Sequence, residues 1–306
     1  MTLPNFLIIG AAKSGTTSLY NYLSQHPQVY VKVKEPGFFA YEGQHVQLAG
    51  PEDQAGFEKR VIQDRVEYEE LFDGITDEKA YGEASVAYLY LKEAATRIKN
   101  YIPDARLIVI FRNPIDRAFS SYWHMRRDGR EPLPTFEEGI AAEETRIKEN
   151  WDYIWHYTQL GFYARQLEVY YRLFPRENIA TYLFEDFKQD PVYVVQSICR
   201  FLEIDDTFNP NTSLKYNASG VPRLNRLHQF VSRPNKIKTA VKPLVPLKVR
   251  KYIGTQIISW NVNGRKPVMQ DSTRMELQTL FRDDILHLQD LIDKDLSAWL
   301  TDDPVK

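Results

Sequence analysis

Phe6-Leu7-Ile8-Ile9-Gly10-Ala11-Ala12-Lys13-Ser14-Gly15-Thr16-Thr17-Ser18 is the stretch on which the reading of this chain turns. An apolar run of strand length stops at Gly10, and a loop of small residues carries Lys13. Thr16, Thr17 and Ser18 then open a helical pattern through Leu19, Tyr20, Tyr22 and Leu23. Strand, glycine loop and helix N-terminus together aim backbone N–H groups at an anion. Glycines let the backbone approach a phosphate closely, hydroxyls donate further bonds, and a lysine adds a point charge. The loop departs from the nucleoside-triphosphate pattern G-x-x-x-x-G-K-[ST]. Gly10 and Gly15 keep its glycine spacing, but Thr16 stands where the lysine belongs and the lysine sits inside the loop. The bland alternative is an exposed lysine in an ordinary strand-to-helix turn.

Outward from this unit, strands and helices alternate. Val29 to Val33 reads as a short strand running into Lys34-Glu35-Pro36-Gly37-Phe38-Phe39. Residues 41–78 are polar and acidic, with a helix expected around 56–72, and Lys79 to Ser85 reads as a strand ending at Glu83. Ala94 to Tyr101 is helical and stops before Pro103. Ala105 to Phe111 contains five consecutive apolar residues, as expected of a strand covered on both faces. Asn113 and Pro114 follow as N-cap and first helical residue, with Asp116 at the positive end of the helix dipole. A helix from about 160 to 173, a last strand Ile179–Phe184 ending at Glu185-Asp186, a helix Val192–Leu202 and an amphipathic helix about Ser272–Leu300 complete the pattern. The expectation is a three-layer α/β fold with a mostly parallel central sheet.

With 306 residues, 43% hydrophobic and 26% charged, the composition is that of a soluble globular protein with ample core. No run of 18 apolar residues exists, and Met1 to Asn5 shows no basic region leading into a signal-type apolar stretch. The lone Cys199 allows no internal disulfide, so a cytoplasmic location is expected. Net charge is only −2, yet residues 207–270 hold no Asp or Glu and twelve Lys or Arg. That asymmetry suggests a face that meets an anion, or a solvated basic surface. Twelve charges over 64 residues are too sparse for a nucleic-acid arm, so nucleic acid is not the expected partner.

In open α/β sheets ligands lie beyond the carboxyl ends of the strands. The informative residues are therefore Lys13, Glu35, Glu83, Arg112 and Glu185. A triphosphatase needs a strand-end acid to hold magnesium, whereas the strongest strand here ends in Arg112. Arg112, with Ser120 two turns further on, makes a second anion site and suggests a ligand phosphorylated at two places. The alternative for Arg112 is a capping or salt-bridging role.

These segments resemble the sulfotransferases that use 3′-phosphoadenosine 5′-phosphosulfate (PAPS). The resemblance rests on the loop Gly10–Ser18, on Lys34-Glu35-Pro36 with Phe38-Phe39, and on Phe111-Arg112-Asn113-Pro114 through Ser120. Gly161-Phe162-Tyr163-Ala164, Phe174-Pro175 and Phe184-Glu185-Asp186 extend it over about residues 5–205. The nearest sub-group is the heparan-sulfate and N-sulfotransferase-like domains with their bacterial relatives. The resemblance implies a P-loop-kinase-like fold, a single domain over 1–306, and a metal-independent enzyme. Lys13, Ser14, Gly15, Thr16, Thr17 and Ser18 would hold the 5′-phosphosulfate, and Arg112 and Ser120 the 3′-phosphate. Tyr216, Ser219, Gly220 and Arg265 resemble late cofactor-contacting loops, with the basic segment 207–270 completing the cleft. Lys13, Glu35 and His124 fall at catalytic positions, with Glu35 and His124 as rival bases.

Two departures stand out. Ala84 and Ser85 follow Glu83 where related sugar enzymes carry a lysine, and Gly37 replaces a histidine of some relatives. The acceptor is expected to be a hydroxyl or amine on a carbohydrate, lipid or small molecule. The aromatic segment Trp151–Tyr157 either stacks on such an acceptor or belongs to the core. The competing readings are a P-loop nucleotide kinase and a non-catalytic bisphosphate-binding protein.

Overall fold

The structure, a computed structural model, describes residues 2–213 and 268–301. Its centre is a sheet of β1 (Phe6–Gly10), β2 (Val29–Lys34), β3 (Ala80–Ala84), β4 (Arg106–Phe111) and β5 (Ile179–Leu183). The order is β2-β3-β1-β4-β5, and every pairing is parallel. β1 therefore lies in the middle, and the chain reverses direction of travel across the sheet beside it. That placement sets the loop after β1 at the crevice where α/β ligands bind.

Strand alternation explains the three layers. Leu7, Ile9, Leu107, Val109 and Phe111 point into one core, and Phe6, Ile8, Ile108 and Ile110 into the other. α1 (Thr16–Leu23) lies on the second side, as does the helix Pro191–Phe201, through Leu19, Leu23, Val194, Val195 and Ile198. The larger first side takes α2 (Phe38–Tyr41), α3 (Asp53–Arg60), α4 (Arg65–Glu69), α5 (Ala87–Tyr90), α6 (Lys92–Tyr101) and α7 (Pro114–Arg127). α7 starts where the sequence places it, with the Asn113 side chain accepting from the Ile115 amide and Pro114 in the first turn.

Three boundaries differ from expectation. The helix expected over 56–72 is two helices, α3 and α4, because Val61 turns extended and Asp64 caps a new start by accepting from the Glu67 amide. The last strand ends at Leu183, and Phe184 already begins the helix Phe184–Gln189. The C-terminal helix runs from Asp271 to Ile292 only, ending at Asp293 with φ 52° in the left-handed region. Among the described residues no helix is long and apolar enough to cross a membrane.

Candidate active site

The loop after β1 is built to leave donors unused. The Ala11 amide donates to the Ile110 carbonyl at 2.9 Å, so β4 fixes the point where the chain leaves the sheet. Gly15 has φ +90°, a backbone that favours glycine, and a Cβ there would press on the Phe184 and Phe187 rings at 3.2 Å. α1 then starts at Thr16 without a side-chain cap and without an acidic residue in its first turn. Its leading amides have no intrahelical acceptor, and the dipole adds partial positive charge. Ser14 Oγ is buried beside the Tyr163 hydroxyl.

Cations gather at this loop. Burial lowers the Lys13 ammonium to about 8, helped by Arg127, Arg112 and Lys34 and opposed by Asp128. Arg112 donates to the Lys13 carbonyl at 3.1 Å and stands over the Phe184 ring at 4.8 Å. Burial lowers its pKa while Asp116, Tyr163 and Glu185 raise it, but a guanidinium stays charged at neutral pH. Ser120 is half-buried on α7, between Asp116 and His124 on one helix face. Arg112 and the loop are thus joined through the Lys13 backbone carbonyl.

Glu35 directly follows β2 and lies in the left-handed region, φ 62°, as does Lys13, φ 67°. Such backbone costs of order 1–3 kcal/mol and persists only where its surroundings impose it. Here the Glu35 amide donates to the Ala84 carbonyl at 2.8 Å, and the Ile62 amide to the Pro36 carbonyl at 2.8 Å. Glu35 Oε2 accepts from the Val86 amide at 3.0 Å, and Oε1 pairs with the Lys34 ammonium. Glu83 lies behind this turn. It accepts from Tyr88 at 2.6 Å and from Ser85 at 2.8 Å, and Ser85 Oγ in turn accepts from the Gly37 amide at 3.0 Å. Burial pushes the Glu83 carboxyl up to about 8. Where related sugar enzymes carry a lysine, this chain has Ala84 and then a buried Ser85 that braces the Glu35 turn.

His124 is half-buried on α7 beside the loop. Burial first, then Lys13, Arg127 and Arg130, push its ring down to about 3, against the pull of Asp128. Arg127 donates to His124 Nδ1 at 2.6 Å. Glu185, expected at a strand end, sits instead in the first turn of the helix Phe184–Gln189, near Arg112. The aromatic segment is mainly core: Trp155 and Tyr157 have no exposed surface. Tyr216, Ser219, Gly220 and Arg265 lie outside the described residues. Arg127 and Tyr163 are the residues that sequence reasoning left unassigned. Arg127 had one available signal, its i,i+3 spacing from His124.

Residues 4–209 match the model of the sulfotransferase family. The chain is 28% identical over 233 residues to human heparan sulfate glucosamine 3-O-sulfotransferase 3B1, covering 76% of this chain and 54% of that protein. It is 26% identical over 304 residues to human bifunctional heparan sulfate N-deacetylase/N-sulfotransferase 3, covering 97% of this chain and 31% of that one. It therefore spans about half the length, or less, of these curated relatives. Among solved structures, a sulfotransferase from Alicyclobacillus acidocaldarius superposes with a TM-score of 0.78 at 36% identity. That match covers 98% of this chain and all of the other.

Proposed function

The chain belongs to the sulfotransferase family, and from that premise we propose that it is an enzyme moving a sulfuryl group from PAPS to a hydroxyl or amine. The observation that carries the reading is the bond from Arg112 to the Lys13 carbonyl, which joins two cationic sites on one sheet edge. The residues present fit the nucleotide: an uncapped helix N-terminus, the buried Ser14 hydroxyl and a surplus of positive charge suit a ligand with two anionic ends. When bound, the donor supplies an electrophilic sulfur and a phosphate oxygen as leaving group.

The chain's own groups divide the remaining work. Lys13, Ser14, Gly15, Thr16, Thr17 and Ser18 hold the 5′ end, and Arg112 with Ser120 holds the 3′-phosphate. Lys13 stabilises the charge that grows on the leaving oxygen, which favours the transition state over the ground state. Glu35 takes the proton from the acceptor as its oxygen or nitrogen bonds to sulfur. His124, whose ring feels the Lys13 charge, is the second polar group of the site. The basic segment 207–270, with Tyr216, Ser219, Gly220 and Arg265, completes the cleft of a single domain in this reading. The acceptor is a carbohydrate or small metabolite, a proposal supported by the sugar enzymes among the relatives. A cytoplasmic location is supported by the lone cysteine.

The deciding experiment is turnover of labelled PAPS against a library of acceptors, read as added sulfuryl mass, beside calorimetry with adenosine 3′,5′-bisphosphate and with ATP. Tight binding of ATP with magnesium and none of the bisphosphate would return the chain to the kinase reading. Arg112→Ala is expected to weaken bisphosphate binding by roughly 10- to 150-fold, as for charged hydrogen bonds worth about 1.5–3 kcal/mol. Affinity for adenosine 5′-phosphosulfate, which lacks the 3′-phosphate, should barely change; equal losses for both would make Arg112 structural. Because Lys13, Arg112 and the helix N-terminus supply the positive charge, excess EDTA is expected to leave turnover intact. Loss with EDTA and rescue by magnesium would refute that part.

A further inference from the structure

The surroundings of His124 decide which ring nitrogen can act. Arg127, one turn along α7, donates to Nδ1 at 2.6 Å. A guanidinium offers donors only and does not deprotonate. Nδ1 must therefore be the lone-pair nitrogen, and a neutral imidazole arranged so carries its proton on Nε2. Asp128 does not compete for the ring. Its Oδ2 is 3.7 Å from Nδ1, beyond hydrogen-bond length, while its Oδ1 accepts from Arg127 Nε at 3.1 Å. Asp128 holds the guanidinium, and the guanidinium holds the imidazole.

We propose that Arg127 is a positioning residue that fixes His124 as a neutral Nε2–H donor, leaving Glu35 as the base. This rests on the sulfuryl-transfer reading and assigns a role within that site. To take a proton, His124 would have to break the Arg127 bond and set an imidazolium against a guanidinium. The charged groups around the ring reinforce this from each side: Lys13 on the loop, Arg127 on its own helix and Arg130 on the segment beyond, opposed by Asp128. As a donor, by contrast, the ring needs no rearrangement. Its Nε2–H is set to bond an oxygen held near Lys13, either on the transferred group or on the acceptor.

The arrangement is open to direct measurement on the full chain. Nitrogen-15 spectra of imidazole-labelled protein, with His124→Gln to assign the ring among the six histidines, report the tautomer. The expected result is a bare Nδ1 and a protonated Nε2, unchanged from pH 5 to 8. Arg127→Ala should raise the ring's titration midpoint and populate the Nδ1–H form, and Arg127→Lys, which keeps a charged donor, should restore the native pattern. A native ring that titrates near 6.5 or carries its proton on Nδ1 would overturn the proposal. So would an Arg127→Ala spectrum identical to the native one.

Kinetics supply the second arm. Glutamine can donate from near the Nε2 position but cannot serve as a base. His124→Gln should therefore stay within about tenfold of native kcat, while His124→Ala falls by about 10- to 100-fold. Equal losses in the two variants, with bisphosphate binding intact, would sink the donor role. If Arg127→Ala fails to fold, the native spectrum and the glutamine comparison still decide. Absence of bisphosphate binding in the native protein would fail the sulfuryl-transfer reading alone, since the tautomer is measured without turnover.

Discussion

Lys13→Ala is expected to lower kcat by about 10²–10³-fold, the loss of about 2.7–4 kcal/mol seen when one preorganised charge-stabilising donor is removed. The loop should survive the change in part, because Gly15 and the Ala11 and Ser14 amides shape it from the backbone. Lys13 lies in the left-handed region, so alanine keeps the same backbone strain and the comparison isolates the ammonium. Measured kcat with acceptor and PAPS saturating, beside bisphosphate affinity, separates the two contributions. A large loss of affinity with unchanged kcat would make Lys13 a binding residue only.

The lysine also makes a pH prediction whose sign is fixed. Burial and the neighbouring cations place its pKa near 8 in the free protein. An anionic nucleotide favours the charged form, so binding raises that pKa and takes up a proton above pH 8. Affinity for adenosine 3′,5′-bisphosphate should be flat below about pH 7 and fall by up to about tenfold per unit above 8. The slope should vanish in Lys13→Ala. A native profile flat to pH 10 would show that the ammonium does not face the ligand.

Glu35→Gln should carry the largest cost, roughly 10²–10⁴ in kcat, because glutamine keeps the shape and loses proton acceptance. The turn should hold, since the glutamine oxygen can still accept from the Val86 amide and the backbone bonds to Ala84 and from Ile62 are untouched. Bisphosphate affinity should change little. Lys34 loses its ionic partner in this variant, so Lys34→Ala is the needed control. If Lys34→Ala is as slow as Glu35→Gln, the pair rather than the carboxylate is what turnover needs. Near-native kcat in Glu35→Gln would remove Glu35 from the chemistry and leave the nucleotide assignment standing.

Much of this site was legible in the sequence because it is encoded locally. The run Phe6–Ile9, the glycine at position 15 and the uncapped Thr16-Thr17 start determine a strand, a left-handed turn and a helix N-terminus within one short segment. Asn113-Pro114 likewise fixes where α7 begins, and hence that Arg112 stands at a strand end. The alternation of strands and helices fixes the parallel, three-layer architecture, since βαβ units admit few others. Elsewhere the sequence was less informative, as at 56–72, where a polar and acidic stretch read as one helix holds the extended break at Val61.

What only the tertiary structure decided depends on residues distant in the chain meeting in a medium of low dielectric. The Lys13 shift arises first from burial of the ammonium and then because β1 and α7 converge, bringing Arg127 and Arg112 beside it. Glu83, Ser85 and the Gly37 amide form one brace because β2 and β3 are neighbours in the sheet. His124 reads in the sequence as a group that titrates near neutrality. In the fold it is ringed by Lys13, Arg127 and Arg130, and the 2.6 Å bond from Arg127 sets which nitrogen keeps the proton. Spacing places residues on a helix face, but the identity of what faces them, and hence their protonation, is settled by long-range packing.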